Sequence, residues 1–229
     1  MSGPAPAELA DGLWSWAARH PEWHPGEFGA EVVSFAARAG DTLLLIDPLL
    51  PDEGDAVLGL LDGEVASASA VAILTTISYH VRSSEPLWER YAPDRAVSIH
   101  GHPAASKRLD RAATAFEAIT PGERLPGGAL PFAIGRPRRY EHPLQLPSHD
   151  AVVFGDAVVG VDGGLRVWAT KPVDEQVRRF YRERFNPTLE PLIETGARRM
   201  LMTHGSSVLD GGAGALRKAV DAPPWYHRG

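Results

Sequence analysis

Three positions in this chain place a side chain able to hold a metal or move a proton at the end of an apolar run: His80 after AVAILT, Asp156 after AVVF and His204 after MLMT. Groups set where a buried strand gives way to a loop are fixed by the scaffold yet open to solvent, so catalysis and binding concentrate there. An imidazole can ligate a divalent ion or transfer a proton near neutral pH, and a carboxylate can do both. Two neighbours of His80 widen the chemistry. Arg82 offers a planar fork that pairs with carboxylate or phosphate, and the Tyr79 hydroxyl can donate to an oxyanion or pass a proton. Each residue also has a structural use. His80 can cap a helix, Asp156 can tie down its own turn, and His204 can be a satisfied core imidazole. Arg82 can pair with Asp47 or Glu85, and Tyr79 can simply pack. His100 and His102 in SIHGHP have the spacing that puts two rings on one face of a strand, but no acidic run adjoins them. They read as rim or turn residues, with His100 able to line a pocket. His142 and His149 flank a hairpin, and His20, His24 and His227 fall in surface segments.

The elements that must position these residues can be read from hydrophobic period and turn chemistry. Residues 31–38 (EVVSFAAR) and 41–47 (DTLLLID), separated by Ala39-Gly40, predict an antiparallel hairpin whose second strand is buried. Upstream, Trp14, Trp16 and Trp23 suit either a first strand or a lid over the sheet. An acidic first turn predicts a helix over 52–61, and the continuous apolar run 70–75 predicts a strand covered on both faces. A helix over 84–91, capped by Ser83 or Ser84, and a strand over 96–99 follow. Residues 116–159 form a second β-rich block: FEAIT, ALPFAI, YEHPLQL and AVVFGDAVV, broken by Pro and Gly. Residues 173–195 predict amphipathic helix interrupted at Asn186-Pro187, because proline cannot donate inside a helix. A strand over 200–203 and a helix over 213–220 close the chain.

Composition narrows the partners. At 229 residues the chain suits one domain, residues 1–229, with 1–28 as a Trp-rich extension or first strand. A net charge of −6 and no long Lys/Arg run predict no nucleic-acid partner. The chain has no cysteine, so a metal would need His, Asp or Glu, and disulfides are excluded. No stretch approaches the roughly 18 apolar residues of a membrane span and the first ten residues lack a leader pattern, which predicts a cytoplasmic protein with no membrane partner. Nothing in the sequence bears on oligomeric state.

The order of four segments carries a resemblance: LLLIDP (43–48), ILTTISYHVRS (73–83), LPSHDAVVFGDAVVG (146–160) and MTHGSSV (202–208). Together, over roughly residues 30–210, they resemble the metallo-β-lactamase fold superfamily, and within it a group of uncharacterised bacterial proteins with a degenerate metal motif. The resemblance implies an α/β (α+β) chain folded as a four-layer αββα sandwich. It also implies that Asp47 supports the metal loop from beneath. Anchored at Thr75, the first two metal histidine positions fall on Thr76 and Ser78, the aspartate position on His80 and the last histidine on Val81. The histidine expected before the later strand lands near Arg138. The first metal site is thus overwritten, while His80, Asp156 and His204 stand where the second was.

Two readings follow, with metal-free acid–base catalysis by the His80 and Tyr79 pair as a third that sequence does not separate from the second. In one, His80, Asp156 and His204 hold one divalent metal, zinc first, with His80, Asp156 and Tyr79 in catalysis and Arg82, Arg138, Thr76 and Ser78 against a small ester, thioester or lactone. In the other, the protein is a metal-free pseudoenzyme or acidic-ligand-binding domain, without cofactor, whose pocket keeps only hydrogen bonds. In both, the partner is a small molecule.

Overall fold

The computed structural model describes residues 5–24 and 28–227; residues 1–4 and 25–27 of the Trp-rich stretch lie outside the described residues. The first sheet has seven strands in chain order. They are β1 (Ala7–Ala10), β2 (Leu13–Arg19), β3 (Glu31–Ala39), β4 (Thr42–Ile46), β5 (Ala70–Leu74), β6 (Ala96–Gly101) and β7 (Phe116–Ala118). From β1 to β4 the pairing is antiparallel, and from β4 to β7 it is parallel. The crossovers between parallel strands carry helices α1 (Asp55–Ser67) and α2 (Ser84–Tyr91).

A second sheet is assembled from β8 (Leu130–Pro131), β9 (Leu144–Leu146), β10 (Ala151–Phe154) and β13 (Arg199–Met202), in the order β13-β10-β9-β8. The hairpin β11 (Val158–Val161) and β12 (Gly164–Val167) stands beside it. Behind lie α3 (Glu175–Phe180), α4 (Glu190–Glu194) and α5 (Gly212–Asp221).

Strand period alone sorts the side chains into layers. In β4, Leu43 and Leu45 face α1 and α2 beside Val57, Leu61 and Leu87, while Leu44 and Ile46 face the second sheet beside Leu144, Val153 and Leu201. In β10, Ala151 and Val153 point into the space between the sheets, and Val152 and Phe154 meet Tyr181, Phe185 and Leu216 of the outer helices. Three apolar interfaces thus join four layers, helix, sheet, sheet and helix, as the αββα expectation requires.

The Trp-rich stretch resolves into strand rather than lid for Trp14 and Trp16, which are buried; Trp16 Nε1 donates to the Leu49 carbonyl at 2.7 Å. Several boundaries differ from the sequence reading. The helix read at 52–61 begins at Asp55 and runs to Ser67. The run AVVFGDAVV is two strands, because Gly155-Asp156 turns between them, and β12 was not foreseen. Residues 175–194 stay helical through the proline by changing hydrogen-bond pattern, to a wide π-type turn over Tyr181–Phe185 and a tight one over Asn186–Leu189. Ser83 stands at the N-terminus of α2 but its hydroxyl accepts from Leu50 N instead of capping. Among the described residues no helix is long and apolar enough to cross a membrane.

Candidate functional site

Strands β4, β5, β10 and β13 end on one edge of the sandwich, and the residues just past their ends converge. Asp47 follows β4 with φ of +47°, a left-handed conformation that the hydrogen bonds around it hold in place. Its carboxylate is fully buried and accepts from Thr76 N at 2.7 Å, from the Thr76 hydroxyl, from Thr203 Oγ1 at 3.2 Å and from His80 Nδ1 at 2.8 Å. Burial alone would raise the Asp47 carboxyl; the facing His80 imidazole outweighs it and holds the group below its ordinary range. Thr76 and Thr203 come from different sheets, so this one carboxylate ties the two sheets together beneath the site.

With Nδ1 engaged by Asp47, His80 turns Nε2 toward Asp156 Oδ1, 3.5 Å away. His204 reaches the same oxygen with Nε2 at 3.2 Å. One ligand atom from each of the three lies within 4.8 Å of the others. The second oxygen of Asp156 accepts from Arg138 Nη1 at 3.0 Å. Burial opposes ionisation of Asp156, but hydrogen bonds from His204 and His80 hold it well below the usual carboxylate range. Burial likewise drags His80 and His204 down. His204 stays lowered, whereas Asp47 and Asp156 on either side of His80 raise it.

The donor set fits a divalent metal. Four ligands about 2.1 Å from a tetrahedral zinc stand roughly 3.4 Å apart. The separations of 3.2 and 3.5 Å bracket that edge, whereas a charge-assisted imidazole–carboxylate bond closes to about 2.7–2.9 Å. Asp47 behind His80 is the outer carboxylate that fixes a ligating imidazole's tautomer. Arg138 takes only Oδ2, leaving Oδ1 for an ion.

Sequence reasoning missed Glu141. It is fully buried and accepts from the amides of Gly155 and Asp156, both at 3.0 Å, so it fixes the turn that aims Asp156. Burial, with the Asp156 charge nearby, pushes its carboxyl up to about 7. A glutamate beside a histidine in a hairpin carries no sequence signal of this role.

The site opens into a cavity of about 490 Å³ lined by His80, Asp156, His204, Arg82, Arg138 and Tyr79, with an aromatic wall of Trp23, Phe28, Trp168 and Tyr226. Phe28 meets Trp168 edge-on at 5.6 Å, and Trp168 meets His204 at 5.5 Å. His20 and His227, read as surface residues, also line the cavity. Arg82 donates to the Asp47 backbone carbonyl at 3.2 Å, and Glu85 accepts from the Asp110 and Ala112 amides instead of pairing with it. Tyr79 is 62% exposed at the mouth, with Arg108 over its ring. Thr76 and Ser78, read as substrate contacts, are buried and lie outside the cavity lining; the Thr76 hydroxyl is spent on Asp47. His100 is buried away from the cavity, against Ser98 and Glu117.

No family model and no curated protein matches the sequence. Solved structures do match the fold. VMB-1, crystallised at pH 5.5, aligns over 96% of both chains with a TM-score of 0.62 and 15% identity. A metallo-β-lactamase from Pontibacter korlensis covers 95% of this chain and 99% of its own, with a TM-score of 0.65 and 11% identity. FIM-1 from Pseudomonas aeruginosa, in its mono-zinc form, covers 96% and 95% with a TM-score of 0.62 and 11% identity.

Proposed function

We propose that this chain, which has the metallo-β-lactamase fold, is a single-metal hydrolase of a small anionic ester, thioester or lactone. The observation that carries the reading is the convergence of His80, Asp156 and His204, one ligand atom of each lying within 4.8 Å of the others, with His80 Nε2 and His204 Nε2 3.5 and 3.2 Å from Asp156 Oδ1. A divalent ion there, zinc first, supplies Lewis acidity and a nucleophile at neutral pH. The protein's own residues do the rest. Arg82 and Arg138 on the cavity wall orient a carboxylate of the substrate, and Trp168 and Phe28 shed water from the approach. Hydrolysis adds water to the carbonyl carbon, breaks its bond to the leaving oxygen or sulfur, and returns a proton to the leaving group. Tyr79, at the mouth, contacts the substrate rather than the scissile bond.

A second reading, a metal-free pocket for a small anion, draws support from the ion pair of Arg138 with Asp156. One experiment separates the two. Protein purified without chelator is analysed for metal, and zinc is titrated into the stripped parent, His204→Ala and Asp156→Ala. The hydrolase reading expects close to one zinc per chain, a rise in melting temperature with zinc, and loss of both in the variants. No bound metal and no zinc-dependent shift in the parent would leave the anion-binding reading.

A further inference from the structure

The cavity lining combines an aromatic wall with a charge that the protein leaves unpaired. Trp23 and Phe28 come from the β2–β3 connection, Trp168 stands just past β12, and Tyr226 comes from the C-terminal tail. These chain-distant segments are fixed to one another. The Trp225 amide donates to the Val167 carbonyl at 2.8 Å and the Trp225 carbonyl accepts from Ala169 N at 2.7 Å, which pins the tail that presents Tyr226. Phe28 stands edge-on to Trp168 at 5.6 Å and to Trp225 at 5.0 Å. Among the described lining residues only Val32 and Ala169 are aliphatic, so the apolar part of this surface is made almost entirely of rings.

Asp156 is the only carboxylate among the described lining residues, and its two oxygens already face Arg138, His80 and His204. Arg138 is neutralised by that contact. Arg82 has no such partner. Its Nη1 donates to the Asp47 backbone carbonyl at 3.2 Å, and its Nε is sealed from solvent without a hydrogen bond. The Asp47 carboxylate is itself taken up by Thr76, Thr203 and His80. The Arg82 backbone is held at φ of +35°, a strained left-handed conformation for a residue with a side chain. Water solvates an exposed surface arginine, whereas this partly buried guanidinium lines a cavity whose own acceptors are spent.

We propose that the cavity takes an aromatic carboxylate, with the carboxylate closing on Arg82 and the ring system packing on Trp23, Phe28, Trp168 and Tyr226. A ring suits this wall better than a flexible acyl chain does. Stacked and edge-to-face rings gain beyond their buried area, and a rigid ring loses no rotamers on binding. The substrate class is thus an ester, thioester or lactone that bears an aromatic group and a free carboxylate. This rests on the hydrolase reading for the scissile bond alone; the carboxylate and ring positions need no metal.

The test is calorimetric titration of 2-naphthoate, octanoate and 2-naphthalenemethanol into the parent, as purified and after chelator treatment. The same titrations are made with Arg82→Gln, Tyr226→Leu and Arg198→Ala. The expected result is saturable 2-naphthoate binding, equal before and after chelation. It should be on the order of tenfold tighter than binding of octanoate, which lacks the ring, and of 2-naphthalenemethanol, which lacks the charge. Arg82→Gln removes the margin over 2-naphthalenemethanol, Tyr226→Leu narrows the margin over octanoate, and Arg198→Ala, a surface control, binds like the parent. If Arg82→Gln does not fold, the three ligands on the parent and Tyr226→Leu still decide. Absence of saturable binding, or octanoate or 2-naphthalenemethanol binding as tightly as 2-naphthoate, overturns the proposal. So does loss of binding on chelation, which would put the carboxylate on a metal. Because 2-naphthoate is read on stripped protein, its failure is distinct from a failure to load zinc.

Discussion

Nδ1 of His80 lies 2.8 Å from Oδ2 of Asp47, and that single contact decides which imidazole nitrogen faces the site. With Nδ1 committed to a buried carboxylate, Nε2 is the atom left for Asp156 or for an ion. Asp47 also receives Thr76 and Thr203, so it orients the ligand set and closes the two sheets at once.

Those two roles separate by substitution. Asp47→Asn keeps the size but weakens the imidazole's anchor, and zinc affinity should fall about 10- to 100-fold. Asp47→Ala leaves four buried donors without an acceptor and should cost about 3–5 kcal/mol in denaturant unfolding. A zinc affinity unchanged in Asp47→Asn would show that His80 does not need this support.

Arg138 works against a bound cation and for the metal-free fold. Its guanidinium neutralises Asp156 at 3.0 Å and repels an ion placed at Oδ1. Arg138→Met keeps the apolar stem over Trp168 while removing the charge. The expected result is lower stability without metal and tighter zinc binding, read by melting with and without zinc. Weaker zinc binding in this variant would contradict the assignment of Arg138 as a competitor.

Acid should destabilise the fold through a histidine pair outside the site. His102 and His142 stack at 5.5 Å, and burial lowers both from the ordinary value of 6.5, helped at His102 by the Arg139 charge and at His142 by His102. The unfolded chain therefore takes protons first as pH falls, so stability present above pH 6.5 is lost as pH drops below it. In His142→Gln, the fall in unfolding free energy between about pH 7.5 and pH 5.5 should be shallower than in the parent. An equal or steeper slope would exclude the pair as a source.

The loop carrying His204 rests on a close backbone approach. Gly160 N donates to the His204 carbonyl at 2.9 Å, and a Cβ on Gly160 would overlap the Ser206 backbone. Gly160→Ala should lower stability by about 2 kcal/mol or more and weaken zinc binding by displacing His204. Full stability with zinc binding intact would mean the loop gives way freely.

Much of the fold was legible because it is local. The apolar runs LLLI and AVVF, the Pro and Gly breaks and the run 70–75 predicted strands whose two faces the structure covers, the last ending at Leu74. The strand-end positions of His80, Asp156 and His204 were legible for the same reason. Helix limits were not, since tertiary packing extends α1 to Ser67 and carries the chain helically past Pro187.

What the sequence by itself determined was the succession of strands and helices and which three side chains stand at strand ends, since both follow from residue period and turn chemistry; the layered architecture was implied by the resemblance of its motifs. Only the tertiary structure decided their partners. It gave Asp156 to Arg138, put Thr76 under Asp47 rather than into the cavity, buried Glu141 behind the Asp156 turn, and drew Phe28 against Trp168. Each of these contacts joins residues distant in the chain. Their geometry depends on how two sheets close over a common core, which no spacing along one strand encodes.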